Sequence, residues 1–408
     1  MHILFLSQYF PPEMGAPSAR TYELSRRWVE KNQKVTIITG FPNHPTGVIP
    51  KEYKQHIFKV EQIDGIRVIR TYIYPAPNKG FFRRILSYLS FMCSSILLGP
   101  WKTGRVDIVV ATSPQFFVAI AGYLMSRIKR KPFIFEVRDL WPESIVQLGQ
   151  LRNRAIIKLL EFIEVFLYKK ADLIVVVAES SIPLIEQKGI PRGKIKIIKN
   201  GVDLNLFTPQ KIDPEMKKKL GLEHKFIISY IGTLGLSHAL DQVLETAKLL
   251  QDSPDIHFLL IGEGAEKEKL IHRKNSLGLT NVTFLDQIEK QLLPYYYSLS
   301  DIVLVTLRRL PLFQCVIPSK IFEIMAMEKP IIISVDGEAR QLVINEAKAG
   351  IFVEPESPPA LKEAILKCYQ NPPECHVMGL NGRTFVEKEF SREVLADRYL
   401  EYLQRNSP

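Results

Sequence analysis

The chain has 408 residues and a mass of 46.8 kDa, more than one hydrophobic core of ordinary size takes in, so two domains are expected. With 46% hydrophobic and 24% charged residues and a mean hydropathy of +0.01, the composition excludes a disordered or fibrous chain. The formal net charge of +11 is unevenly placed: residues 1–205 hold 30 Lys and Arg against 16 Asp and Glu, whereas residues 206–408 hold 24 against 27. A basic half beside a mildly acidic one points to an anionic partner such as nucleic acid, phosphate or a membrane surface, with solvated lysines as the plain alternative. Cys93, Cys315, Cys368 and Cys375 stand singly, which excludes a disulfide scaffold or a zinc knuckle and fits a reducing compartment. MHILFLSQYF has no basic n-region and too short an apolar run for a signal peptide, and no stretch is apolar for the length that spans a bilayer.

Along the chain, short apolar runs alternate with amphipathic segments. The first half carries HILFLS, KVTIITG, IRVIRTY, DIVVAT, PFIFEV, DLIVVV and KIKIIKN; the second carries KFIISYIG, HFLLIGEG, VTFLD, DIVLVT, PIIISVD and GIFVE. Each run is nearly continuous in apolar character, as parallel strands buried on both faces are. Stretches such as RTYELSRRWVEK, NRAIIKLLEFIEVFLYKKA and ALDQVLETAKLLQ read as the helices between them. The pattern predicts an α/β protein of two doubly wound Rossmann-like domains. The first spans 1–205, the second 206–385, and a last helix covers 386–408. In such sheets ligands bind at the carboxyl ends of the strands, so the loops there are where chemistry is sought.

After the first run, QYFPPEMGAPSAR places Gly15 ahead of a helix start; this is either an anion-contacting loop or a plain turn. After YIG, the loop TLGLSHALDQ carries Gly232, Thr233 and His238, and IGEGAEKEKL repeats the glycine pattern at Gly262 and Gly264. These loops suit phosphate contact, yet neither a full G-x-G-x-x-G fingerprint nor a P-loop is present. The segment CVIPSKIFEIMAMEKPIIIS is the most informative. Ser319 is placed to cap a helix, and Lys320 in the first turn opposes the helix dipole unless an anion is bound. Glu323 then lies on the same helix face as Ser319, where its carboxylate can accept bonds from ribose hydroxyls. The alternative is an amphipathic helix with no ligand. In FEVRDLWPES, Arg138 and Asp139 follow a strand, either as cleft chemistry or as a structural ion pair. No metal-binding motif is evident.

The segment 79–105, KGFFRRILSYLSFMCSSILLGPWKTGR, is apolar and flanked by Lys79, Arg83 and Arg84 on one side and Trp101, Lys102 and Arg105 on the other. It reads either as an interfacial helix anchored by basic and aromatic residues or as a core helix with a serine edge.

With PPEMGAPSAR, GFPNHPTG, VRDLWPES, NGVDLNLF and IPSKIFEIMA assembled, the chain resembles the retaining glycosyltransferases of family four, which have the GT-B fold. Among these it is similar to the subgroup that adds N-acetylated amino sugars such as N-acetylfucosamine in bacterial O-antigen and capsule synthesis. The resemblance implies a UDP-sugar donor, a polyprenyl-diphosphate-linked glycan acceptor, no cofactor or metal, and no nucleic acid. It places the protein in the cytoplasm, peripheral on the inner face of the cell membrane. Glu323 matches the second glutamate of the family's E-x7-E motif, which holds ribose; the first falls at Cys315. The family's diphosphate-binding Arg and Lys fall near Thr233 and His238, which leaves Lys320 with more of the leaving-group charge. The cleft histidine falls near Arg138, the base-binding backbone near Ile288, and Gly15 matches the loop glycine beside the phosphates. SREVLADRYLEYLQ matches the helix that returns to the first domain. Two alternatives remain: a non-hydrolysing UDP-sugar 2-epimerase, which shares the architecture but lacks a PSKIFE helix, and a non-catalytic nucleotide-binding membrane scaffold.

Overall fold

In the computed structural model the continuous apolar runs are strands of two sheets. The structure describes all residues except Met14, Pro45, Gln55, Asn78, Lys79, Gly80, Pro114, Gln115, Leu148, Gln150 and Pro408, and the side chains of Ala16 and Phe81. The first sheet comprises β1 (His2–Leu6), β2 (Lys34–Gly40), β3 (Phe58–Ile63), β4 (Ile66–Thr71), β5 (Ile108–Thr112), β6 (Phe133–Val137), β7 (Leu173–Val176) and β8 (Ile195–Ile197). The second comprises β9 (Phe226–Ile231), β10 (Ile256–Ile261), β11 (Val282–Leu285), β12 (Ile302–Thr306), β13 (Ile331–Ser334) and β14 (Gly350–Phe352). Strand order is β3-β4-β2-β1-β5-β6-β7-β8 in one and β11-β10-β9-β12-β13-β14 in the other.

Two compact units contain these sheets: residues 1–199 with 392–408, and residues 200–391. The passage between them falls a few residues ahead of Leu206 because NGVDLNLF is held in the second unit. Val202 and Phe207 are fully buried there, the Val202 N–H donates to the Phe390 carbonyl, and Arg383 donates to the Phe207 carbonyl at 2.9 Å. Both sheets reverse their winding beside one strand, β1 in the first unit and β9 in the second. Each reversal opens a crevice where the loops leaving two neighbouring strands diverge.

One strand departs from the expected reading. β3 runs antiparallel to β4 at the sheet edge, joined to it by the two-residue turn Asp64–Gly65. FKVEQI alternates between exposed and half-buried positions, so it shows no continuous apolar run. Period-two alternation followed by Asp-Gly is the signal of a hairpin on a sheet edge.

The helix Arg392–Asn406 belongs to the first unit, where Leu395, Ala396, Tyr399, Leu400 and Leu403 join the core around Trp28. The Trp28 indole stacks on Phe5, meets Tyr399 edge-on at 5.4 Å, and donates Nε1–H to the Ala396 carbonyl at 3.0 Å. Arg392 pairs with buried Glu23, and Asp397 with Arg27 and Lys31. Trp28→Ala is therefore expected to destabilise the first unit by roughly 3–5 kcal/mol, measured by urea unfolding. A loss under about 1 kcal/mol would show that the terminal helix docks without it.

Candidate active site

In the second unit the chemistry collects where β9 and β12 end, on either side of the winding reversal. The loop after β9 is tied to the loop after β12: the Arg308 N–H donates to the Ser237 carbonyl, Arg308 Nε to the Leu236 carbonyl at 2.6 Å, and Thr306 Oγ1 to the His238 carbonyl at 2.7 Å. On the other side it packs on the loop after β10. Gly232 N–H donates to Ile261 and Leu234 N–H to Glu263, which continues the parallel ladder past the strand ends.

This ladder corrects the reading of two glycines. A Cβ on Gly262 would lie 1.9 Å from the Gly232 carbonyl oxygen, and one on Gly264 would lie 2.3 Å from that of Leu234. Both serve close backbone approach rather than phosphate contact. Gly232 is different. Its φ of +145° suits glycine alone, and a Cβ there would fall 2.6 Å from Lys320 Nζ. The empty side of Gly232 is the space the lysine ammonium occupies.

Lys320 opens the helix Lys320–Ala326, whose Ile321, Phe322, Ile324 and Met325 are buried. Ser319 does not cap it. Its backbone is already helical (φ −60°, ψ −26°), its side chain makes no capping bond, and the turn starts earlier, with Ile321 N–H donating to the Pro318 carbonyl. A capping side chain needs an extended backbone at that position. Lys320 Nζ stands 3.7 Å from the centre of the Tyr230 ring and is buried with no hydrogen-bond partner among the described residues. Burial holds its pKa down to about 7, against the weaker opposing pull of Glu323. Tyr230 is fixed in turn by donating its hydroxyl to the Thr233 carbonyl at 2.8 Å.

Glu323 lies one helical turn on and makes no ion pair with Lys320. Tyr297 donates its hydroxyl to Glu323 Oε2 at 3.3 Å. Burial raises the carboxyl's pKa, while Lys290, Tyr297 and Lys320 pull it down. Lys290 follows half-buried Ile288 by two residues, so the loop after β11 brings charge to the same carboxylate. His238 meets the Tyr230 ring edge-on at 6.1 Å, and burial with the Lys320 charge pushes its imidazole down to about 3. It is neutral at physiological pH, which leaves the positive charge to Lys320. Thr233 is exposed, and Cys315 lies half-buried ahead of the helix. A cavity of about 330 Å³ opens at this edge, lined by Arg308, Leu310, Phe313, Gln314, Val335 and Asp336.

In the first unit, Arg138 and Asp139 follow β6 and both are half-buried. They form no ion pair with each other. Ser113 Oγ accepts the Arg138 N–H at 2.7 Å and the Asp139 N–H at 3.4 Å. Arg138 Nε and Nη1 have no hydrogen-bond partner among the described residues. Burial and the neighbouring Arg20 push the guanidinium down to about 10, and burial raises the Asp139 carboxyl. Glu136, within β6, accepts Arg20 at 3.1 Å and Thr112 Oγ1 at 2.7 Å. Burial works against its charge, but Arg20 and Arg138 keep its carboxyl below the usual range. One guanidinium thus pairs with this carboxylate and a second adds its charge, while the buried Nε and Nη1 of half-buried Arg138 are left open. Gly15 is exposed at the start of the helix Ala16–Glu30.

Of the flanking basic residues, Arg83 and Arg105 are exposed and Trp101 is 86% exposed. Lys102 lies 4.4 Å over the Phe58 ring, and Lys79 lies outside the described residues. Arg84 turns inward and donates Nε–H to the Tyr88 hydroxyl at 3.2 Å, so it does not face a surface as expected. With about 100° of helical rotation per residue, Arg83 and Arg84 point to different sides of the helix. Arg20, Glu136, Tyr230, Lys290 and Tyr297 escaped the sequence reading. A glutamate inside the otherwise buried run PFIFEV was the available signal for Glu136, because a charge in a buried strand needs a partner.

Residues 18–206 match the family described as Glycosyltransferase Family 4, and residues 212–385 match that described as Glycosyl transferases group 1. The chain belongs to the family 4 glycosyltransferases. It is 23% identical over 410 residues, 98% of this chain and 99% of the relative, to WcaI of Escherichia coli (strain K12), a colanic acid biosynthesis glycosyl transferase by name. It is 24% identical over 251 residues, 59% of this chain and 63% of the relative, to the alpha-galactosylglucosyldiacylglycerol synthase of Streptococcus pneumoniae R6. Among solved structures, Anabaena HepE in complex with UDP and glucose superposes with a TM-score of 0.75 at 19% identity, over 98% of this chain and 99% of that one. The sucrose-phosphate synthase of Thermosynechococcus elongatus gives 0.76 at 18% identity, over 99% and 98%. These likenesses show the GT-B fold, two Rossmann-like α/β units.

The buried ammonium makes a stability prediction. Between the ordinary lysine value of 10.5 and the folded value of about 7, the unfolded chain holds a proton that the folded chain gives up. The cost to folding therefore grows as pH falls from 10.5 to 7 and levels below that. Lys320→Met should stabilise the ligand-free protein by about 1–4 kcal/mol at pH 6–7, with the gain fading towards pH 10. Thermal melts across that range check it. A destabilised variant, or a gain that does not change with pH, would show that the ammonium is already compensated.

Proposed function

We propose that this glycosyltransferase moves a sugar, of the N-acetylated amino class, from a UDP-sugar to a polyprenyl-diphosphate-linked glycan in bacterial surface polysaccharide synthesis. The observation that carries the reading is Lys320, whose buried Nζ has no hydrogen-bond partner among the described residues, at the carboxyl edge of the second sheet. An ammonium held out of water on an aromatic face is preorganised for a diphosphate whose charge grows as the glycosidic bond breaks. Lys320, and not a metal ion, supplies the leaving-group charge in this account. Glu323, steadied by Tyr297, accepts the ribose hydroxyls, and the backbone near Ile288 borders the base. Within the first unit, the Gly15 loop and the open N–H groups of Arg138 suit contact with an anionic group.

In the reaction the bond from the sugar's anomeric carbon to the β-phosphate oxygen breaks, and a bond to the acceptor hydroxyl oxygen forms. The hydroxyl proton passes to the departing diphosphate on the same face, which retains anomeric configuration. Asp139 is the alternative base, and burial raises the proton affinity of its carboxylate. The family membership and the UDP-bound structural neighbour support the donor class, and WcaI, named for colanic acid synthesis, supports the pathway class.

The first unit supports a membrane location on the inner leaflet. Residues 81–131 carry eight Lys and Arg and one acidic residue, Asp107. The helix Phe81–Lys102 buries Tyr88, Phe91 and Ser95, yet leaves Phe82 85%, Leu97 70% and Trp101 86% exposed. Leu124 and Ile128 of the helix Phe116–Lys129, packed beside it, are exposed too. Lys129 joins the ends of the two helices by donating to the Pro100 and Gly104 carbonyls, both at 2.7 Å. An apolar face within a basic surround fits an anionic lipid leaflet. Among the described residues no helix is long and apolar enough to cross a membrane.

Incubation with UDP-sugars, with and without a polyprenyl-diphosphate glycan, tests the reading. Acceptor-dependent UDP release is expected, unaffected by EDTA, with kcat falling at least ~10²-fold in Lys320→Ala. Inversion at C2 of the donor without transfer would indicate an epimerase, and nucleotide binding without turnover a scaffold. Co-sedimentation with vesicles tests the location. Arg83→Glu with Arg105→Glu, and separately Leu97→Ser with Trp101→Ser, should release the protein from anionic vesicles while UDP affinity stays unchanged. Wild type remaining in the supernatant with anionic and neutral vesicles alike would make the acceptor a soluble one.

A further inference from the structure

The inward turn of Arg84 leaves a charge that the donor site does not use. Midway along the helix Phe81–Lys102, Ser94 Oγ donates to the Tyr72 carbonyl at 2.5 Å and lies 3.1 Å from the Thr71 hydroxyl, and Ser90 Oγ accepts the Tyr74 N–H at 2.7 Å. These bonds pin the middle of the helix to the chain leaving β4. The preceding turns, which carry Arg84, therefore overhang the carboxyl edge of the first sheet, where the loops after β1 and β2 emerge.

The two loops are built for each other. Glu13, in the loop after β1, accepts the Asn43 and His44 backbone N–H groups at 2.9 Å each. This brings the His44 ring to 5.0 Å from that of Tyr9. Arg84 faces both residues: its charge, added to burial, pushes the His44 imidazole down to about 4, and Tyr9 with Tyr88 favours the charged guanidinium against burial. No carboxylate among the described residues pairs with Arg84. The first turn of its helix holds Arg83 and Arg84 and no acidic residue, so both charges stand at the positive end of the helix dipole. A largely buried guanidinium in that position, ringed by a neutral imidazole and two phenols, calls for an anion.

We propose that Arg84, with Tyr9, His44 and Tyr88, forms a subsite for the diphosphate of the lipid-linked acceptor. The Tyr9 and His44 rings flank the first sugar, and the exposed outer face of the same helix meets the leaflet that holds the lipid. Glu13 is a positioning residue that fixes His44 through its backbone. The assignment rests on the acceptor class proposed above. It goes further in naming which part of the acceptor the first unit reads, and with which cation.

The test measures KM for three acceptors bearing the same glycan: a short-chain prenyl diphosphate, the matching monophosphate, and a phosphate-free alkyl glycoside. Arg84→Ala should raise KM for the diphosphate acceptor roughly 10- to 100-fold and leave the alkyl glycoside unchanged, the scale of one lost charge-assisted contact. Arg84→Lys should recover part of the loss, and Tyr88→Phe, which frees the guanidinium without removing it, should show a smaller rise. UDP affinity by calorimetry should not change in any variant, which separates the acceptor's diphosphate from the donor's. Melting curves confirm that each variant is folded, and Arg84→Lys carries the test if Arg84→Ala is not. A diphosphate KM within twofold of wild type, an equal loss on the alkyl glycoside, or weakened UDP binding would each overturn the proposal. Absence of acceptor-dependent turnover in wild type would instead overturn the transferase reading on which it rests.

Discussion

A lysine side chain buried against a tyrosine ring, its Nζ without a hydrogen-bond partner among the described residues, is the constraint around which the second unit is arranged. Such a charge costs folding energy unless something pays for it. The surroundings keep that cost in place. Gly232 has no side chain because the ammonium fills the space, Tyr230 is pinned by its hydroxyl to the loop it supports, and His238 stays neutral. The Coulomb pull of Glu323 is present, but it does not reach an ion pair that would quench the charge. Each of these choices holds Lys320 ready for an anion and leaves the ligand-free protein less stable.

The glycines at the carboxyl edge of the second sheet divide their work accordingly. Gly262 and Gly264 let the loops after β9 and β10 run backbone to backbone, which extends the ladder and stiffens the platform. Gly232 makes room for the cation. The first unit reaches a comparable electrostatic state by other means. Arg20 and Arg138 crowd one buried carboxylate, Glu136, and Arg84 overhangs the edge with no carboxylate partner among the described residues. Anionic groups are therefore favoured at the carboxyl edges of both sheets, each within its own unit.

Much of the architecture was legible because buried parallel strands leave an unambiguous trace. Runs such as KVTIITG and FIISYI are apolar on both faces, and they are strands in the structure. β3 was missed because its residues alternate at a half-covered edge, and the Asp-Gly turn after it was the clue passed over. At the site, Lys320 and Glu323 were legible because charged residues on an otherwise apolar helix need a reason. Ser319 was read as a cap because its type fits that position, but only backbone angles distinguish a cap from a residue already inside the turn. Arg83 and Arg84 read as one basic flank in the sequence, but successive helical residues point to different sides. Tyr230 and Tyr297 could not be singled out, since aromatic residues in a strand and a short helix read as core until a charged neighbour is placed beside them.

The account stands on the state of Lys320 before and after an anion arrives, and proton linkage reads that state directly. At pH 8 the free lysine, held near 7, is largely neutral, and a bound diphosphate must draw it back to the charged form. UDP binding measured by calorimetry in buffers of different ionisation enthalpy should therefore take up roughly one proton at pH 8 and much less at pH 6. Lys320→Met should lose the uptake at pH 8. Proton uptake that is absent in wild type at pH 8, or that persists in Lys320→Met, would contradict the account.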